Sequence, residues 1–164
     1  MANTAGISLS FKTELLKGLH AFDTTVIRAA TTPDTFYAAL YYIGGSISAS
    51  TTAYTTSYEV ADAGYTTGTN LSTHYSPGGQ SITNTAGQVV LSGTTACWTP
   101  SAPSVVWSTV NISSNFDTVL IYNNNPSLSK NAVANFNFGA QNVNGSFSIT
   151  MPTNNSTSAL IRLS

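Results

Sequence analysis

Toward its C-terminal end the chain alternates apolar and polar residues in Ala132-Val133-Ala134-Asn135-Phe136-Asn137-Phe138, and again in Phe147-Ser148-Ile149-Thr150-Met151. A period of two sends successive side chains to opposite faces of an extended backbone, so these stretches can bury one face only as β-strands. Further short apolar runs stand near residues 81–85, 88–91, 94–99, 105–112, 118–122 and 159–163. They are separated by Gly87, Gly93, the Pro100 to Pro103 stretch, Asn123-Asn124-Asn125-Pro126, Gly139, Gly145 and Pro152, the residue types that punctuate strands. Such spacing predicts a mainly β chain with a single antiparallel β-sandwich or jelly-roll-like domain over residues 11–164.

The N-terminal part reads differently. Ser10 is an N-cap candidate, and Phe11, Leu15 and Leu19 follow at four-residue spacing with Leu16 beside them. This predicts one short amphipathic helix ending near His20. Residues 1–10 are small and polar apart from Met1, Ile7 and Leu9, and are expected to form an extended arm that crosses onto a neighbour. The continuous apolar run at residues 36–43, ending at Gly44-Gly45, fits a strand buried on both faces. Residues 46–57 are mostly Ser, Thr and Ala and read as a long surface loop.

Only 7% of the 164 residues are charged, against roughly a quarter in ordinary soluble proteins, while Ser, Thr and Asn number 22, 25 and 15. A surface of hydroxyls and amides has little long-range repulsion and approaches another protein with little ionic desolvation. Self-association is therefore expected, as a symmetric homo-oligomer with a trimer favoured. The net charge is −1, and Lys12, Lys17, Arg28, Lys130 and Arg162 form no basic stripe, so nucleic acid is not an expected direct partner. Cys97 stands alone, which leaves neither an internal disulfide nor a thiolate metal site. No export signal and no apolar run of about 18 residues is present, so synthesis in the cytoplasm without membrane insertion is expected.

No catalytic, cofactor or metal site is expected. His20 and His74 lack ligand spacing, the acids Glu14, Asp23, Asp34, Glu59, Asp62 and Asp117 form no recognisable catalytic pattern, and no Gly-x-Ser-x-Gly elbow occurs. Paired carboxylates meeting in space, as in a glycosidase, remain the enzymatic alternative, with Glu59 and Asp62 as the acids to test. Trp98 and Trp107 lie in strand-like runs and are expected in the core. Tyrosines in loops suit protein interfaces or sugar stacking. The partner-binding candidates are therefore Ile7 and Leu9 on the arm, with Tyr54, Tyr58, Tyr65 and Tyr75 on loops.

One ordered series of pieces runs through nearly the whole chain. It begins with Lys12 to His20, Asp23-Thr24-Thr25-Val26-Ile27, Leu40-Tyr41, Thr52-Ala53-Tyr54-Thr55-Thr56, Glu59-Val60 and Gly64-Tyr65-Thr66-Thr67-Gly68. It continues with Trp107, Val119-Leu120-Ile121-Tyr122-Asn123, the run from Ala132 to Gly139, Gly145-Ser146-Phe147-Ser148-Ile149 and Ala159-Leu160-Ile161-Arg162-Leu163. This series resembles small virion structural proteins of tailed bacteriophages. The resemblance implies a non-enzymatic capsid or tail component located in the virion. The favoured expectation is a capsid decoration, or cement, protein bound to the major capsid protein or other virion proteins. The alternative is a tail, collar or fibre-associated protein with host-surface or glycan contacts.

Overall fold

The computed structural model describes residues 3–8, 10, 11, 20, 22, 33–69, 73–85, 87–101 and 104–164. Among them run eight strands: β1 (Gly6–Ile7), β2 (Phe36–Tyr42), β3 (Gln80–Ile82), β4 (Val89–Ser92), β5 (Thr95–Trp98), β6 (Ser104–Asn123), β7 (Ala132–Thr150) and β8 (Ile161–Leu163). All pairings are antiparallel. They make a five-stranded sheet in the order β1-β7-β6-β2-β3 and a three-stranded sheet in the order β4-β5-β8. The chain is thus mainly β, in two antiparallel sheets.

The large sheet is built on one hairpin, the 20-residue β6 and the 19-residue β7, paired from Ser104↔Thr150 to Tyr122↔Ala132. The alternating patterns predicted four short strands here, and the correction is instructive. Gly139 and Gly145 do not end strands: they take φ of 82° and 134°, which glycine adopts without steric cost. The Ser113-Ser114-Asn115 stretch likewise stays within β6, where the register slips between Ile112 and Phe116. Register irregularities of this kind absorb unmatched residues and bend the ribbon while pairing continues on either side.

The hairpin is buried unequally along its length. Residues 116–123 of β6 are buried on both faces, whereas residues 104–115 bury chiefly Val105, Trp107, Val110 and Ile112 and leave most of the others at the surface. On the inner face, Val119 and Ile121 of β6 join Phe36 of β2, Trp98 of β5 and Ile161 of β8 in one core, so both sheets contribute to the same apolar cluster. On the outer face, Leu120 and Tyr122 pack with Tyr41 and Ile47 under the segment that follows β2. The predicted two-sided burial of the run after residue 36 is present in β2, whose Phe36, Ala38, Ala39, Leu40 and Tyr41 are fully buried. Each such large side chain contributes about 1.5–3 kcal/mol relative to exposure.

The N-terminal arm is extended but lies on its own sheet. Gly6 and Ile7 pair with Asn135 and Ala134, and the Ser8 amide donates to the Val133 carbonyl at 3.2 Å. The buried Asn3 amide nitrogen donates to Asp117 Oδ1 at 2.7 Å and to the Tyr42 carbonyl at 3.2 Å, while its Oδ1 accepts from the Ile47 amide at 2.9 Å. The expected crossing onto a neighbour is replaced by docking on the chain's own β7, because hydrogen bonds of Asn3, Thr4 and Ser8 hold the arm there. Of the expected helix, Ser10 and Phe11 are helical and residues 12–19 lie outside the described residues.

Candidate interaction surface

Four carboxylates among the described residues are turned inward. Asp62 has a fully buried side chain whose Oδ1 accepts from the Gly64 amide at 2.8 Å and the Asn111 amide at 2.9 Å. Its Oδ2 accepts from the Tyr75 amide at 2.9 Å and lies 3.0 Å from His74 Nδ1. Burial works to raise its pKa, but the donors from Asn111, Gly64, Tyr75 and His74 together outweigh it and hold the carboxyl below its ordinary value. Glu59 accepts from Tyr54 Oη at 2.5 Å, Tyr75 Oη at 2.8 Å and the Gly78 amide at 2.6 Å. Burial, then the Glu59 charge, push the Tyr75 phenol well above its ordinary pKa, and burial with the Glu59 hydrogen bond does the same for Tyr54. Both phenols are thereby kept as proton donors. Asp34 accepts from the side chains of Asn123 and Asn125, each at 2.6 Å, and Asp117 accepts from Asn3 and Thr118.

Each of these acids holds separate stretches of chain together by accepting several hydrogen bonds at once. Asp62 goes further: β2 stops pairing with β6 at Phe116, and beyond that point Asp62 Oδ1 takes the Asn111 amide as a neighbouring strand's carbonyl would. The Ala63 amide bonds the Asn111 carbonyl and the Thr109 amide bonds the Thr73 carbonyl, both at 3.0 Å, so Asp62, Ala63 and Thr73 close that edge of β6. Among the described residues no three His, Cys, Asp or Glu side chains converge on a point where a metal ion could sit.

The partner-binding candidates divide on this scaffold. Tyr75 is corrected: it is 1% exposed, its hydroxyl accepts the Leu40 amide at 2.9 Å, and it is a core residue. Tyr54 is half-buried, its ring 4.9 Å from that of Tyr122 with the Lys130 ammonium 4.6 Å away from its centre. Ile7 is half-buried against the main core. Tyr65 is half-buried, Tyr58 is 57% exposed, and Leu9 lies outside the described residues. Trp98 and Trp107 are buried as expected, and Cys97 is buried and unpaired.

A surface that residue-by-residue reading missed lies along β7. Its outer edge is covered by β1 only at Ala134 and Asn135, with Ser8 continuing to Val133. From residue 137 to 150 no described residue pairs with that edge. The inward side chains Phe136, Phe138, Val143, Phe147 and Ile149 are only half-buried there. Beneath the edge an apolar groove of about 440 Å³ opens between Phe136, Phe138 and Ile149 of β7, Ile121 of β6, and Met151 and Leu160 of the C-terminal segment. From Asn131 to Ile161 the sequence has no charged residue. A long, uncharged, partly apolar edge with unpaired backbone groups is a template for strand addition. The signal was present in the alternation, but only the merging of the short runs into one hairpin turns it into an edge. Comparisons of the chain with protein-family models, with curated proteins and with solved structures gave no match.

Proposed function

We propose that the chain is a structural subunit of a bacteriophage virion, a decoration protein that binds the head shell through protein-protein contacts. The observation that carries the reading is the outer edge of β7, which no described residue covers beyond Phe136, above an apolar groove on a chain with few charged residues. Edges left bare in this way are covered in functional assemblies, since otherwise they recruit strands indiscriminately. Supporting it, the described carboxylates are engaged in internal hydrogen bonds that tie the fold together, and a rigid scaffold suits a subunit whose work is packing. We read the two sheets as the layers of a sandwich, because Trp98 and Ile161 of the small sheet share a core with Phe36 and Val119 of the large one.

Reconstruction of whole particles by electron microscopy tests the assignment. Density for this fold on the head shell is the expected result; density confined to the tail, or absence of the chain from purified particles, overturns it. The tail-associated reading is favoured by one observation, the exposed ring of Tyr58 with Tyr65 half-exposed nearby in sequence. A glycan array distinguishes it: sugar binding lost in Tyr58→Ala and Tyr65→Ala would move the assignment to the tail.

A further inference from the structure

We propose that the occupant of the β7 edge that no described residue covers is a second copy of this chain, paired antiparallel through residues 141–150 about a two-fold axis. The inference rests on the reading of the chain as an assembling subunit and names its first partner. Three observations lead to it.

The first is the contrast between the hairpin's edges. Beyond the end of β2 the chain closes the edge of β6 with its own backbone and the Asp62 carboxylate, whereas β7 beyond Phe136 receives nothing from the described residues. The second is charge. The stretch from Asn131 to Ile161 carries neither acid nor base, and within residues 137–150 there is no proline, so the edge has none of the usual deterrents to pairing. A charged partner strand would find no complementary group among residues 131–161, the groove beneath the edge holding only Arg162. Its own copy meets neutral with neutral, with no like charges opposed.

The third is parity. After the irregularity around Gly139, the odd positions Val143, Phe147 and Ile149 are the half-buried inward residues, and the even positions Asn142, Asn144, Ser146, Ser148 and Thr150 are exposed. Residues opposite each other in an antiparallel pair point to the same face. A two-fold axis passing through any residue of this stretch therefore sets odd against odd and even against even. The two apolar rows then join beneath a continuous sheet, and the Asn, Ser and Thr side chains meet on the outer face, where they can hydrogen-bond across the pair. Ten residues give a paired edge about 33 Å long.

The test uses the full chain and two charge variants, Asn144→Lys with Ser146→Lys, and Asn144→Glu with Ser146→Glu. Both positions are exposed, so the fold is expected to persist, as checked by circular dichroism. Sedimentation should give the unmodified chain the mass of two copies. Each variant alone should associate about 100-fold more weakly, because like charges then face each other, and a one-to-one mixture should recover the two-chain mass. A single-chain or three-chain mass for the unmodified protein, or variants that keep its mass, would overturn the pairing. If the variants unfold, single cysteines at positions 142, 144, 146 and 148 give the same information. Disulfide-linked dimers should peak around one position and fall off to either side, and failure to cross-link at all four overturns the proposal. Particle location is a separate readout. A dimer absent from virions defeats the functional reading alone, and a monomer bound to virions defeats the pairing alone.

Discussion

Beyond Phe116 the edge of β6 is closed by Asp62, Ala63 and Thr73, whereas beyond Phe136 the outer edge of β7 pairs with no described residue. Both belong to one hairpin with the same polar, hydroxyl-rich composition, so the difference is not one of strand-forming tendency. It lies in where the chain places its few carboxylates. Asp62 accepts three backbone amides and so substitutes for a strand, and Glu59 fixes the turn at Gly78 through backbone and phenol donors. Among the described carboxylates none bonds the outer edge of β7 beyond Phe136. In a protein with so little charge, a buried carboxylate is the strongest available means of closing backbone to backbone.

Two glycines give the sharpest test of this contrast. Gly79, on the closed side, and Gly139, on β7, both have positive φ, 77° and 82°, so replacement by alanine costs each the same backbone strain of about 1–2 kcal/mol. A methyl group at Gly79 would lie 1.9 Å from the Ala38 carbonyl oxygen in β2, whereas at Gly139 it meets nothing within 4 Å. Gly79→Ala should therefore destabilise by about 3–5 kcal/mol once the forced backbone shift is added, and Gly139→Ala by about 1–2 kcal/mol. Urea unfolding of the two variants measures the difference. Equal losses would show that the closed side is no more tightly packed than the open one.

Asp62→Asn comes next, with an expected loss of about 1–3 kcal/mol, since an amide presents only one acceptor to the backbone donors that now share two oxygens. The pH dependence carries the sign. Because the folded-state pKa lies below the ordinary value, the carboxylate's contribution is complete above about pH 4 and is lost as pH falls through the depressed folded value. Stability of the unmodified chain should drop across that acidic window, and the Asn variant should drop less. Parallel acid unfolding curves would show that Asp62 does not hold the β6 edge.

Strand identity and the two-sided burial of β2 could be read from periodicity, because each depends on neighbouring residues alone. The long hairpin could not: Gly139, Gly145 and the Ser113-Ser114-Asn115 stretch have the composition of turns, and only cross-strand pairing shows that they are irregularities within β6 and β7. Tyr75 was misplaced for a related reason. It sits in a turn-rich, polar stretch, and its burial depends on Glu59, Leu40 and Trp107, all distant in sequence. The carboxylates looked scattered because their partners are backbone amides, which leave no mark on composition. Asn3 shows the same limit, being a short polar residue that anchors the arm through Asp117, 114 positions away.

The smallest expected effect belongs to Tyr58, the most exposed of the described candidate contact residues, and it separates the two surfaces. Its φ of 61° is one that glycine adopts freely and tyrosine does not. In Tyr58→Gly the relief of that strain, about 1–2 kcal/mol, is offset by the greater unfolded-state entropy of glycine, about 1 kcal/mol. Stability should change by less than about 1 kcal/mol, so the variant removes an exposed aromatic ring without disturbing the fold. If β7 is the assembly edge, self-association and retention on particles should match those of the unmodified chain. Should retention fall while the two-chain mass is kept, Tyr58 contacts the particle and the β7 edge serves only to join copies. Should the two-chain mass fall instead, the joining surface lies on the Tyr58 side of the sheet, where the edge of β6 is already closed.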